Sequence, residues 1–278
     1  MKSISKKDII KFKLSDTGDQ NQKIIMSDDI VVEEPLEIRL KYHVAHGIYR
    51  TISLSVTMRT PGDDKVLVIG FLYTEHIVDN IDNIESISET IENIILVTLK
   101  EEVVFDNKIP KRNFYASSSC GLCGKASIES IHSETEFLPW KSKFKIEASV
   151  MLSLPKQLIA TQESFSITGG IHACATVDKN GIITAIKEDV GRHNAMDKLI
   201  GSLDHYPIYD KLIITSGRSS FELVQKASKI GTPVLLSIGA PTSLAIKLAE
   251  EHGITLVGFL KDKSFNVYCG KERILFSP

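Results

Sequence analysis

The sequence predicts an α/β protein in which the α/β part follows a smaller, strand-rich N-terminal part. Three observations predict it. Beyond residue 171, short apolar runs alternate with helical spacings and short links, as expected for strands joined by helical crossovers. Before residue 110, β-branched residues alternate over several short stretches, with a single helical spacing among them. Between the two, residues 108–119 carry a proline, charges and a serine run, which marks a boundary. The expected units are 1–110, strand-rich with one helix, and 111–278, α/β.

Each element follows in order. Residues 30–32 and 36–42 are short apolar stretches with Pro35 as a break, and 48–58 alternates with β-branched residues. Thr60, Pro61, Gly62, Asp63 and Asp64 form a turn. After it Val66, Ile69, Gly70 and Tyr73 recur at helical spacing, which predicts a helix over 65–76 starting near Asp63. Residues 91–104 read as two further strands or a hairpin. In the second part, 171–177 and 182–187 form a hairpin across Asp178, Lys179, Asn180 and Gly181, the Asn-Gly pair supplying positive φ values. A helix over 192–202 puts Met196, Leu199, Ile200 and Leu203 on one side. Then come strand 211–215, helix 221–229, strand 233–238, helix 244–251 and strand 254–260, expected to be parallel with right-handed crossovers.

Composition excludes several functions. The 278 residues carry 33 Lys+Arg against 35 Asp+Glu, a net charge of −2. That lacks the basic excess with which a general nucleic-acid binder neutralises phosphates. Hydrophobic residues at 42% and charged residues at 24% suit a folded soluble chain with a sizeable core. The first sixteen residues are basic but have no apolar stretch of a signal peptide. No apolar run approaches the roughly 18 residues that would span a bilayer. Four cysteines, Cys120, Cys123, Cys174 and Cys269, are too few for a disulfide scaffold. A cytoplasmic location is expected, with neither nucleic acid nor membrane as partner.

In a parallel sheet the carboxyl ends of the strands share one edge, and ligands bind there. Three links follow strands on that edge: 216–220 (Ser-Gly-Arg-Ser-Ser), 239–243 (Gly-Ala-Pro-Thr-Ser) and 261–264 (Lys-Asp-Lys-Ser). The first two lead into helices, whose free N–H groups and positive dipole ends face the crevice. Gly217 and Gly239 would let an anion approach the backbone, and Arg218 offers a forked donor for phosphate. Helix caps and turn glycines explain each loop equally well when it is taken singly. The three together suggest a site for a phosphate-bearing ligand such as a nucleotide, although no Walker A or G-x-G-x-x-G fingerprint is present.

The segment Ser117-Ser118-Ser119-Cys120-Gly121-Leu122-Cys123-Gly124-Lys125 is the strongest chemical signal. Ile128 and Ile131 fit a helix beginning near Cys123, whose dipole, with Lys125, would stabilise a thiolate. The glycines leave the sulfurs uncrowded, as sulfur exchange requires. Four uses compete: a redox pair, a zinc site completed by His172, Cys174 or Cys269, an inert structural pair, and persulfide carriage. A second dense tract, Glu188 to Lys198, lies at a strand-to-helix junction and includes Arg192, His193, Asn194 and Asp197. It suits ligand binding, or a capped helix start with Asp189 near the N-cap and Asp197 and Lys198 solvated or paired. For His193, and more so for His172 after Thr168-Gly169-Gly170, a hydrogen-bonded structural histidine is the commoner role.

These motifs occur together in one order: the C-x-x-C segment, Thr168-Gly169-Gly170-Ile171-His172-Ala173, 188–198, Thr215-Ser216-Gly217-Arg218, Ala240-Pro241-Thr242-Ser243 and Thr255-Leu256-Val257-Gly258-Phe259. The set resembles the FdhD family of sulfur carrier proteins, the formate dehydrogenase accessory proteins. Thr60-Pro61-Gly62-Asp63-Asp64 with Gly70-Phe71-Leu72 extends the resemblance over nearly everything beyond residue 30. It implies a three-layer α/β/α fold like that of cytidine deaminases, and a homodimer. It also implies a sulfurtransferase role. Sulfur is taken as a cysteine persulfide from a cysteine desulfurase and passed to the molybdenum cofactor, bis(molybdopterin guanine dinucleotide), before that cofactor enters the formate dehydrogenase catalytic subunit. A guanine nucleotide would occupy the same site.

Carried over by motif, Cys120 would bear the persulfide and Cys123 would assist transfer or release. Phe259, Leu260, Lys261, Asp262, Lys263 and Ser264 would match the cofactor-binding stretch, with Ser216 and Arg218 holding phosphate. No resident metal is expected. His76 stands where the family usually has glycine, and Cys174 and Cys269 are often other residues there. Two alternatives differ in class. A cofactor-binding chaperone would share the site but need no reacting thiol. A zinc deaminase would need a His-x-Glu before Pro-Cys-x-x-Cys, whereas His172-Ala173-Cys174 follows the cysteines and lacks the glutamate.

Overall fold

The computed structural model describes residues 3–14, 22–45, 47–103, 105 and 137–276. Cys120, Cys123, the helix expected near Cys123 and the expected boundary at 108–119 lie outside these residues.

The chain opens with β1 (Ile4–Lys13) and β2 (Gln22–Val31), an antiparallel hairpin of two strands. Only its last residues were expected to be extended. Most side chains of both strands are exposed, so no apolar-polar alternation marks them. Next come β3 (Glu34–Ala45), β4 (Ile48–Arg59), α1 (Asp64–Thr74), β5 (Ile84–Ile91) and β6 (Ile94–Leu99). Pro35 does not break a strand; it sits second in β3. The sheet runs β4-β3-β6-β5, with β3 and β6 parallel and the other pairs antiparallel. The hairpin expected over 91–104 starts earlier, and its turn is at Asn93, which takes a left-handed φ of 63°. Leu36, Ile38, Leu40 and Tyr42 alternate inward along β3. They pack with Ile95, Val97 and Leu99 against Leu67, Val68 and Leu72 of α1.

The second part contains β7 (Ile146–Glu147), α2 (Ala148–Thr161), α3 (Glu163–Thr168), β8 (His172–Val177), β9 (Ile183–Asp189), α4 (Arg192–Gly201), β10 (Leu212–Thr215) and α5 (Phe221–Lys229). It continues with β11 (Val234–Ser237), α6 (Ser243–Glu251), β12 (Thr255–Gly258), β13 (Asn266–Cys269) and β14 (Ile274–Leu275). The main sheet runs β9-β8-β10-β11-β12-β13. Parallel pairing holds for β10, β11 and β12, as expected, but β8 runs antiparallel to β9 and β10, and β13 antiparallel to β12. The sheet is therefore mixed. In the β8–β9 turn only Gly181 has a positive φ, of 82°, and not Asn180 as expected. The Asp178 carboxylate holds the turn by accepting the N–H groups of Asn180 and Ile182, both at 2.9 Å.

Successive residues of the buried strands point to opposite faces. Cys174, Ile213, Leu235 and Leu256 face α4, α5 and α6 through Met196, Leu199, Leu223, Val224, Ala245 and Leu248. Ala173, Ala175, Ile214, Leu236 and Val257 face α2 through Met151, Leu154 and Leu158. The result is the expected three-layer α/β/α arrangement. The helix α2 was not anticipated, although Met151, Leu154 and Leu158 carry its spacing, because Pro155 interrupts the pattern.

One core runs through both parts, from Leu36 to Leu256, because α1 lies directly on α4. Gly70 and Gly201 permit that approach. A Cβ on Gly70 would overlap the Asp197 carbonyl, and one on Gly201 would overlap the Val66 carbonyl. No helix among the described residues is long and apolar enough to cross a membrane.

Candidate functional site

The carboxyl ends of β10, β11 and β12 place the three loops side by side, and backbone bonds tie them. Gly239 N–H donates to Gly217 O, Thr242 N–H to Ser219 O and Phe259 N–H to Gly239 O, each at 3.0 Å. Gly217 and Gly239 serve this packing. A side chain at Gly239 would strike Gly217 O and Arg218, and one at Gly217 would crowd Arg192. Both glycines thus let the loops pack closely against their neighbours. Thr242 caps α6 by accepting Ala245 N–H at 3.3 Å.

Around this edge the predicted residues divide. Arg218 is exposed on the first loop. Phe259 is 43% exposed and holds φ at 52°. An exposed aromatic residue in the left-handed region is costly and is found chiefly where function holds it. Lys261, Asp262, Lys263 and Ser264 are exposed in a tight turn closed by Lys261 N–H to Ser264 O at 2.9 Å. Asp262 also pairs with Lys156 of α2 at 3.1 Å. Leu260, in contrast, is fully buried in the core beneath α2, so its side chain does not share the exposed face of its neighbours.

Ser216 is engaged from two sides. Its Oγ accepts Ala173 N–H at 3.0 Å and lies 3.2 Å from His172 Nδ1. Burial, then the nearby Arg192, pushes His172 below its usual range, so its imidazole is neutral at neutral pH. Both residues line a cleft of about 340 Å³ between the loop edge and α2 and α3, walled by Leu158, Phe165, Ile171 and Ile238. Sequence reasoning missed this cleft because its walls come from α2 and α3, which were not anticipated. The Thr168-Gly169-Gly170 turn ahead of His172 was its one legible sign.

The dense tract at 188–198 binds the two halves of the molecule together. The Glu188 carboxylate accepts Ser164 N–H at 2.9 Å and Phe165 N–H at 3.0 Å, at the start of α3. Asp189 is buried and pairs with buried Lys198 at 2.8 Å. It also accepts N–H groups from Gly191 at 2.8 Å and Thr60 at 3.1 Å, while Lys198 donates to Thr60 O at 2.8 Å. Burial raises the Asp189 carboxyl and Lys198 opposes it. Asp197 and Lys198 were expected at a solvated or paired helix start; both are buried and paired. His193 Nε2 lies 3.3 Å from Glu222 on α5. Burial raises Glu222, but His193 and Ser220 outweigh it and bring the carboxyl down to about 2.

Neither described cysteine is poised to react. Burial pushes Cys174 up to about 12. Burial also raises Cys269, whose Sγ–H donates to Ile254 O at 3.2 Å. Among the described residues no group of three or more His, Cys, Asp or Glu side chains could hold a metal ion.

Comparison with known proteins places the chain. The FdhD/NarQ family model matches residues 31–275. A sulfur carrier protein FdhD from Sulfurisphaera tokodaii is 41% identical over 260 residues, 92% of this chain and 96% of that protein. One from Sulfolobus acidocaldarius is 42% identical over 269 residues, 96% and 98% of the two chains. A crystal structure from Desulfotalea psychrophila, described as a formate dehydrogenase accessory protein, superposes with a TM-score of 0.68 at 22% identity, covering 96% of this chain and 99% of that one. That likeness concerns the fold. His76, which holds a left-handed φ of 56°, lies 3.2 Å from Lys229 Nζ through its Nδ1. By the extent of the family match and of the identity to its members, this chain belongs to the FdhD/NarQ family.

Proposed function

We propose that the protein is a sulfur carrier that serves formate dehydrogenase maturation as a sulfurtransferase. The observation that carries this is the 41–42% identity, over nearly the whole chain, to relatives named for that role. The Cys120 thiolate attacks the outer sulfur of a desulfurase persulfide, forming Cys120–S–SH and freeing the desulfurase thiolate. Cys123 then attacks the inner sulfur of Cys120. A Cys120–Cys123 disulfide forms, sulfide leaves for the molybdenum centre of bis(molybdopterin guanine dinucleotide), and a dithiol reductant later restores both thiols. Ser216, Arg218, Phe259 and 261–264 hold that substrate at the loop edge, where a guanine nucleotide also fits. The recipient is the formate dehydrogenase catalytic subunit, and the setting is the cytoplasm.

Intact-mass measurement after incubation with a cysteine desulfurase and cysteine tests the reading. The wild type is expected to gain about one reductant-sensitive sulfur, and Cys120→Ala to gain none. No gain in the wild type would overturn sulfur carriage and favour a binding-only chaperone.

The carrier is further proposed to act as a homodimer. The β1–β2 hairpin supports this, since Ile10, Phe12, Leu14 and Ile25 are each at least 60% exposed. The cross-strand pair Ile10 and Ile25, with Phe12 beside them, shares one face. A lone two-stranded hairpin is marginally stable in water, so a partner surface over that face would stabilise it. Light scattering is expected to give a dimer for the wild type and a monomer for Phe12→Glu. A monomeric wild type would refute the dimer.

A further inference from the structure

His193 and its partners form a second polar cluster at the loop edge. His193 stands in the first turn of α4, Ser220 closes the loop at 216–220, and Glu222 lies in the first turn of α5. His193 Nε2 lies 3.3 Å from both Glu222 Oε2 and Ser220 Oγ, and Ser220 Oγ–H donates to Glu222 Oε2 at 3.0 Å. Ser220 occupies the N-cap of α5 yet makes no capping bond there, so its hydroxyl serves the carboxylate instead. An ionised carboxylate only accepts, and Ser220, having given its proton to Glu222, also faces the ring as an acceptor. Both neighbours therefore require a proton on Nε2. The other ring nitrogen, Nδ1, makes no hydrogen bond among the described residues, and the side chain is 21% exposed. With an anion behind the ring and an unengaged nitrogen in front, an imidazole takes up a proton on Nδ1 while the carboxylate steadies the cation.

Position ties this cluster to the proposed substrate. Ser216 and Arg218 lie on the loop that ends at Ser220, and Arg192, next to His193, packs on Gly217 of that loop. After burial and Arg192, the charge of His193 also lowers His172, which puts the two imidazoles near one another. Resting on the sulfur-carrier reading, we infer that His193 donates the proton needed when sulfide replaces an oxygen ligand on the substrate's metal, with Glu222 and Ser220 as its positioning residues. Sulfide arrives as HS− with one proton, whereas the displaced oxygen leaves as water with two. HS− and one further proton thus convert M=O to M=S and one water; a metal–oxygen bond breaks, a metal–sulfur bond forms and no oxidation state changes. The proton comes from His193 Nδ1, which regains one from solvent before the next cycle. The other ionisable groups of this corner are Arg192 on α4, His172 on β8, Asp189 at the end of β9 and Arg218 on the loop. Asp189 is paired with Lys198, the arginines do not give up protons, and His172 is neutral, which leaves His193 as the donor.

The test uses the full chain loaded with persulfide and with bis(molybdopterin guanine dinucleotide). Transfer is followed by quenching at intervals and measuring the formate oxidation that apo-formate dehydrogenase gains from each sample. The wild-type rate is expected to fall as pH rises through the loss of one proton. His193→Gln still bonds Glu222 but holds no transferable proton, and is expected to slow the step about 100-fold and to abolish that fall. Glu222→Gln removes the anion that steadies the imidazolium, so the fall is expected to begin about one pH unit lower. In His193→Ala, free imidazole is expected to restore much of the lost rate, which it would not do if the ring merely tied α4 to α5. Thermal melts confirm that each variant is folded. A wild-type pH profile in His193→Gln or Glu222→Gln, or a His193→Ala defect that imidazole does not relieve, would overturn the inference. Absence of persulfide from the wild type by intact mass would instead overturn the sulfur-carrier reading on which it rests.

Discussion

Lys226→Met is expected to lower unfolding free energy by about 3–5 kcal/mol, because it leaves buried carboxylate charge without its counter-ion. Lys226 Nζ donates to Thr74 Oγ1 at 2.7 Å, Glu75 Oε1 at 3.0 Å and Asp197 Oδ2 at 3.0 Å. Thr74 and Glu75 lie at the end of α1, Asp197 on α4 and Lys226 itself on α5, so the ammonium joins three helices at one point. Burial pulls Lys226 down, but Asp197 and Glu75 outweigh it and hold the lysine above its usual range. Burial raises the Asp197 carboxyl, and Lys226 opposes that rise. Without the lysine, Asp197 keeps only Thr74 Oγ1 at 2.9 Å among the partners named here and faces Glu75 directly. Its folded pKa then rises further above the unfolded value. A carboxyl with a raised folded pKa favours the folded state as protons are added, so the variant's deficit should shrink as pH falls. Urea unfolding at neutral pH and near pH 5 reads both effects. Asp197→Asn combined with Lys226→Met removes both charges and is expected to recover much of the loss. A double variant as unstable as the sum of the singles would show that lost packing, and not unpaired charge, is responsible.

This cluster also shows where the sequence was legible and where it was not. From Arg192 to Gly258, helix and strand positions were readable because Met196, Leu199 and Ile200, then Leu212 to Ile214 and Val234 to Leu236, carry uninterrupted apolar periods, whereas the short β13 and β14 beyond them were not anticipated. The three loops were legible for the same reason, since each follows a strand that the pattern announces. The surroundings of Asp197 and Lys198 were not, because a buried salt bridge looks in sequence like any charged helix surface. Only the approach of α1 and α5 from distant parts of the chain shows that these charges are enclosed. The cleft wall was hidden by Pro155 within α2. The β1–β2 hairpin was hidden by its lack of a buried face. Within the tract at 188–198, Glu188, Asp189 and Lys198 hold α3 and the Thr60 turn in place, contacts that the tract's density of polar side chains alone did not disclose. Its residues position the loop edge from below.

Gly70→Ala is expected to cost about 3 kcal/mol or more, against the sign that helix propensity alone would give. In an exposed helix interior this substitution stabilises by about 0.5–1 kcal/mol. Here the new methyl would overlap the backbone carbonyl of Asp197, which has no rotamer by which to move aside. The helices α1 and α4 must part, and that movement carries Thr74 and Glu75 away from Lys226. The substitution therefore disturbs packing and the buried ion cluster together. Gly201→Ala acts at the same crossing, because its methyl would meet the Val66 carbonyl and the Gly70 amide. Once one substitution has separated the helices, the second has less contact to lose. The double variant is expected to fall short of the sum of the singles by about 1 kcal/mol or more. Urea unfolding of the four proteins closes this cycle. A neutral or stabilised Gly70→Ala would mean that the two helices do not meet at this distance in solution. Strict additivity would mean that the two glycines relieve separate contacts and not one shared approach.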